Sequence, residues 1–204
     1  MAVFILDTRN QKDDFVEKAL KDLGHDIVRS KLPFGDVAVS TDILNVVDLK
    51  SSGGGLIELA HNVCSKDHDR LRKEIIKCLE VKGNITFMVF EPHIHRLEDV
   101  PFWKVPTFKS NVWTKVYYLN GKRVPKKDLE KGKAYNVEYK CVHRKGDPRT
   151  SIKPEILYKA LKTMSEPNHY GKGTKINFIF TDKKNCGKRI EELLLTTDKS
   201  CDTL

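Results

Sequence analysis

Two carboxylates and an amine stand in this chain at spacings suited to phosphoryl chemistry. Gly35-Asp36 is followed by the apolar run Ile43-Leu44-Asn45-Val46-Val47, which ends in Asp48-Leu49-Lys50. Residues two apart on a β-strand point to the same face, so Asp48 and Lys50 project together while Val47 and Leu49 face the other way. Asp36 lies in the turn Pro33-Phe34-Gly35-Asp36 that opens the strand Val37-Ala38-Val39. It reaches the same spot if the two strands pair as a hairpin. Two carboxylates beside a lysine suit metal-assisted hydrolysis of a phosphodiester, because hard oxygens hold Mg²⁺, or Mn²⁺, and the ammonium offsets charge on the phosphate or nucleophile. An Asp and a Lys two apart also occur as a solvated pair on a sheet face, and Pro-x-Gly-Asp is an ordinary turn. Their order, and the β-branched strand leading into them, favour a site.

These residues resemble a known family. Gly-Asp, a short hairpin and then acid-x-Lys is the signature of the PD-(D/E)XK nucleases, and the wider pattern is similar to their XPF-type branch, the structure-selective endonucleases of DNA repair and recombination. That branch opens with Asp-x-Arg-Glu at the end of the first strand, matched by Asp7-Thr8-Arg9-Asn10, and continues with Gly35-Asp36 and, for Glu-Arg-Lys, Asp48-Leu49-Lys50. Asp69-Arg70-Leu71 matches a helix start, and Ile176–Thr181 followed by a helix over 182–195 matches the last strand and helix. Three positions depart from the pattern: Asn10 replaces an acid, Asp48 is shorter than Glu, and Gly53 stands where an acid is expected. The resemblance implies a restriction-endonuclease-like α/β fold, a mixed central sheet flanked by helices. It implies a Mg²⁺-dependent DNA endonuclease acting on branched, flap or junction DNA, with Asp7, Asp36 and Asp48 as metal ligands and Lys50 as the catalytic amine. The departures give the alternative: a weak or inactive nuclease-fold protein acting as a DNA-binding subunit or inhibitor. An RNA-directed nuclease is a third reading, for which no aromatic RNP-type motif is present. Members of the branch often dimerise and often carry a helix-hairpin-helix module. Here a basic wing or a protein partner is expected to take that place.

The charge is concentrated. Residues 101–150 hold thirteen Lys/Arg against four acids, which accounts for the whole net charge of +9. Trp103, Trp113, Tyr117, Tyr118, Tyr135 and Tyr139 are interleaved with them. Lysines track phosphates and aromatics stack on bases, so this segment is expected to contact nucleic acid through Lys122, Arg123, Lys126 and Lys127, with Arg70 and Arg72 adding backbone contacts from a helix. The expected organisation is a nuclease core over 1–100 and 151–198, a β-hairpin insertion over 101–150 and a frayed tail over 199–204.

The elements that must position these groups follow from periodicity. Val3–Leu6 reads as a buried strand and Gln11–Leu23 as an amphipathic helix ended by Gly24, with Asn10 placed to cap it. His25–Ser30, Asp36–Ser40 and Ile43–Ser51 read as a meander of strands, and Gly53-Gly54-Gly55 as a loop beside the site. Asp67–Glu80 reads as a helix and Ile85–Phe90 as a central strand. His93 and His95 follow Glu91 in a proline-bearing loop, and the two histidines, lacking a well-spaced third partner, read as loop residues rather than metal ligands. Asn120-Gly121 marks a hairpin, and Pro154 opens a helix with Ile156, Leu157, Ala160, Leu161 and Met164 on one face. Five dispersed cysteines without Cys-x-x-Cys predict free thiols, and with no signal-peptide pattern or membrane-spanning run they predict a reducing cytoplasm, nucleoid or nucleus.

Overall fold

A computed structural model of the chain describes residues 1–10, 13–51, 54–64, 68–107, 112–143, 146–167, 169–171 and 174–196. Gly53 and the tail at 199–204 lie outside the described residues, as do the side chains of Arg70, Trp113 and Cys141. The chain divides into two compact units, Met1–Trp103 with Ile152–Leu204, and Lys104–Ser151.

The first unit is built on six strands: β1 (Val3–Asp7), β2 (Asp26–Ser30), β3 (Val37–Val39), β4 (Asp42–Lys50), β5 (Asn84–Phe90) and β9 (Lys175–Thr181). They form one sheet in the order β2-β1-β3-β4-β5-β9. The hairpin β3–β4 is antiparallel, with Val37 opposite Val47, and β4, β5 and β9 run parallel. The expected three-strand meander is not formed. β2 pairs parallel with β1, which separates it from β3. The physical reason is the helix α1 (Asp14–Asp22) between β1 and β2, a crossover that returns the chain parallel to its start.

Helices cover both faces. On one, Phe4, Leu6, Val47, Leu49, Met88 and Phe90 bury against Val16 and Leu20 of α1 and Ile190 and Leu194 of α5 (Cys186–Leu195). The close approach of α1 and α5 depends on Gly187, where a Cβ would fall 2.8 Å from that of Ala19. On the other face Phe34, Val46, Ile85, Phe87 and Ile176 pack against Leu71, Ile75 and Cys78 of α3 (His68–Glu80). A further helix, α2 (Gly55–Cys64), begins where a glycine loop was expected, and α4 is Pro154–Ser165. The glycines masked α2's amphipathic pattern, yet Leu56, Ile57, Leu59 and Ala60 are all buried. Gly55 is needed there because a Cβ would stand 2.5 Å from the Lys50 carbonyl and 2.6 Å from the Phe90 nitrogen.

The first helix also starts later than its periodicity suggests. Asp13 occupies the N-cap position without a capping bond, and its Oδ1 instead accepts from Arg29 Nη2 at 2.9 Å, tying α1 to β2. Asn10 is therefore not the cap. Cys78 and Cys186 are buried free thiols, that of Cys78 pushed up to about 11 by burial. Among the described residues no helix is long and apolar enough to cross a membrane.

The second unit holds three strands, β6 (Val112–Leu119), β7 (Lys122–Val124) and β8 (Asn136–His143), in an antiparallel sheet of order β7-β6-β8. Asn120 (φ 50°) and Gly121 (φ 75°) adopt the left-handed conformation that a two-residue hairpin turn requires. Trp103 belongs to the first unit and is buried, which removes it from the exposed aromatics of the basic segment.

Candidate active site at the end of the β3–β4 hairpin

Asp36 is built into the hairpin twice. Its backbone N–H donates to the Val47 carbonyl (2.9 Å) and its carbonyl accepts from the Asp7 N–H (2.8 Å), bridging the ends of β4 and β1. The side chain then continues the ladder where strand β3 gives out: Oδ2 accepts the Leu49 N–H at 2.7 Å, a donor that would otherwise be orphaned. Gly35 makes this turn possible. Its φ is +68°, and a Cβ would sit 2.6 Å from Val46 Cγ2.

Asp48 and Lys50 flank that bonded N–H and point together to the Val46 side of the sheet, as strand alternation requires. Both are buried, at 6% and 5% exposure, and Lys50 Nζ forms an ion pair with Asp48 Oδ1. The ammonium also stands 5.3 Å from the centroid of the Phe87 ring. The structure thus brings Asp36, Asp48 and Lys50 into one cluster.

Its electrostatics are strained towards negative charge. Burial is the main reason the Asp36 carboxyl is pushed up to about 7, with the neighbouring Asp48 charge adding to it; the Leu49 N–H, the Lys50 charge and a hydrogen bond from Asn10 only partly oppose this. Burial works against the Lys50 ammonium. The Asp48 charge and hydrogen bond, with Glu58 and Asp36 behind them, outweigh it and hold the lysine above its ordinary value. A compact pair of carboxylates, one of which resists ionisation, is a place where a divalent cation relieves repulsion. Asp36 and Asp48 could hold one.

Asp7 is differently placed. It is buried at the end of β1, and both oxygens are engaged: Oδ1 by the Arg9 N–H (2.7 Å) and Nε (2.8 Å), Oδ2 by Arg9 Nη2 (2.6 Å) and the Leu32 N–H (2.8 Å). Burial opposes ionisation here too, yet these hydrogen bonds and the arginine charge bring the carboxyl below its usual range. Its geometry is that of a buttress for Arg9, whose guanidinium also donates to the Leu32 carbonyl (2.8 Å) and feels the charges of Glu74 and Asp36. Among the described residues no group of three His, Cys, Asp or Glu is arranged to hold a metal ion.

Sequence reasoning missed Glu58 and Glu74. Glu58 lies on α2, and Glu74 Oε2 on α3 accepts the Gly35 N–H at 3.4 Å. The signal for Glu58 was the spacing Leu56, Ile57, Leu59, Ala60 around it, hidden behind three glycines. Asn10, expected at a helix cap, bonds to Asp36 instead. Arg72 is exposed on α3 and, two residues from Glu74, does not share the helix side that meets Gly35. Lys122, Arg123, Lys126 and Lys127 are all exposed in the second unit, on β7 and the 3-10 turn after it.

The mixed six-stranded sheet with helices on both faces is a fold shared with a solved structure. Among solved structures the chain is similar to XPF from Aeropyrum pernix, with a TM-score of 0.52 and 16% sequence identity. The match covers 97% of this chain and 66% of that one, so the chain spans about two thirds of that structure's length. No family model matches the chain, and no curated protein sequence matches it.

Proposed function

We propose that this chain is a metal-dependent DNA endonuclease that hydrolyses phosphodiester bonds in branched, flap or junction DNA. The observation that carries the reading is the convergence of Asp36, Asp48 and a charged, buried Lys50 at the end of one hairpin. Asp36 and Asp48 would hold Mg²⁺ or Mn²⁺. The cation, when bound, supplies Lewis acidity towards the phosphate and lowers the pKa of water. Lys50 orients the attacking water and offsets charge developing on the phosphate, a role that needs the ammonium to stay protonated as the surrounding acids ensure. Asp7 supports the site by fixing Arg9 and the Leu32 backbone. Asn10, by donating to Asp36, stabilises that carboxylate in its ionised form.

A second reading, a non-catalytic DNA-binding subunit or inhibitor on a nuclease fold, is favoured by Asn10 in place of an acid and by the Asp48–Lys50 pair closing on itself. One experiment separates the two. Purified protein is incubated with end-labelled fork, flap, junction and linear DNA in Mg²⁺ or Mn²⁺. Cleavage is expected on the branched substrates and is abolished in Asp36→Asn and Asp48→Asn, with folding and DNA binding retained. Lys50→Ala should reduce turnover on the order of a hundredfold or more. Binding without cleavage in either metal establishes the second reading, and cleavage that survives in both Asn variants overturns the site.

A further inference from the structure

One face of the second unit's sheet is unusual for a charged segment. The β6–β8 register sets Lys115 opposite Tyr139 and Tyr117 opposite Val137, and the β6–β7 register sets Lys122 opposite Leu119. Opposed residues in an antiparallel pair share a face, so these six lie on one side of the sheet. Val116, which alternates to the other side, is buried.

The aromatics of the unit differ in what they already touch. Tyr117 meets the Tyr135 ring edge-to-face, with centroids 6.4 Å apart, and the Tyr135 hydroxyl accepts the Glu130 N–H at 2.9 Å. Those two rings are engaged within the unit. Tyr139 is 61% exposed and Val137 beside it 45% exposed, and the Lys115 ammonium stands 5.8 Å from the Tyr139 ring centroid. An exposed ring that already draws one ammonium, beside an exposed valine and set in a segment with thirteen basic residues and four acids, calls for a partner that is aromatic and anionic at once.

We propose that this face is a stacking platform for unpaired nucleic-acid bases, centred on Tyr139. It rests on the reading that the second unit meets nucleic acid, and it names the substrate class: a single-stranded segment, such as the unpaired arm of a flap or fork. In a duplex the base faces are already stacked on one another, so only an unpaired base can cover the tyrosine ring. Lys115, the ammonium beside the ring, takes a flanking phosphate. Because every base has a π-face, the platform is indifferent to sequence.

The test measures binding of the full chain to labelled oligo(dT), oligo(U) and blunt duplex DNA by fluorescence anisotropy across a salt series. Tyr139→Ala should weaken single-strand binding about tenfold, leave duplex binding unchanged, and leave the salt slope unchanged because the substitution removes no charge. Tyr139→Phe, which keeps the ring, should bind as wild type, and the retained duplex binding of Tyr139→Ala excludes misfolding as the cause of its loss. A loss shared by oligo(dT) and oligo(U) assigns stacking on either nucleic acid, and a loss on one alone assigns that one. Wild-type affinity of Tyr139→Ala for both single strands overturns the platform, as does an equal loss on duplex, which would make the face a docking surface of another kind. If the wild-type chain binds neither single strands nor duplex, the nucleic-acid reading of the unit itself falls. A failure to cleave DNA leaves the platform standing.

Discussion

At the scale of single residues, Asp36 is where folding and chemistry pull against each other. Its side chain completes the β4 ladder at Leu49, but the enclosure that permits this bond sets its carboxyl against Asp48. The folded chain keeps the Asp36 proton up to about pH 7, against the ordinary value of 3.8 that applies when unfolded. Between these limits the folded state binds more protons than the unfolded state, so stability falls as pH rises through that window. Asn accepts the Leu49 bond without titrating. Asp36→Asn should therefore melt above wild type at about pH 8, with the gap closing towards about pH 5, as read by calorimetry. Mg²⁺ at the higher pH should raise the wild-type Tm and leave that of Asp36→Asn unmoved. A gap independent of pH would show that Asp36 does not carry the repulsion assigned to it.

At the scale of elements, the site is held by backbones that approach too closely for side chains. Gly55 starts α2 against the Lys50 carbonyl and the Phe90 nitrogen, and neither neighbour is a flexible side-chain tip. Gly55→Ala should cost about 1–3 kcal/mol in denaturant unfolding, and, by displacing the end of β4, lower cleavage more than Asp7→Asn lowers it. The same packing explains which elements are legible in the sequence. The alternation along Ile43–Lys50 is a local property of one strand, so Asp48 and Lys50 could be placed on one face from sequence, and the hairpin spacing placed Asp36 beside them. The neighbour of β2 is set by the crossover through α1, and α2 is set by tertiary packing that tolerates glycines at its start; neither leaves a local periodic mark. Asn10 reads as a cap because Asn caps helices. Only the fold reveals that Asp36 lies within its reach.

At the scale of the whole molecule, charge and chemistry are divided along the chain: the acids and Lys50 belong to the first unit, and residues 101–150 carry the net charge of +9. A divided chain makes separable predictions. Replacing Lys122, Arg123, Lys126 and Lys127 with Ser removes four exposed cations while leaving the buried Val116 and the Tyr117–Tyr135 contact untouched. Every cation that had been neutralising a phosphate should, once removed, lower the slope of log affinity against log salt by roughly 0.9 on duplex DNA, because fewer counterions are released on binding. Affinity should fall for fork, flap and linear DNA alike, since phosphates carry no structural signature of their own. Asp36→Asn and Asp48→Asn should leave that slope where it was. Titrations of the quadruple variant and the two site variants over the same salt range decide the matter. A quadruple variant with wild-type affinity and slope would mean that these four residues are a solvated face, and the DNA-binding surface would then have to include the α3 helix that carries Arg70 and Arg72.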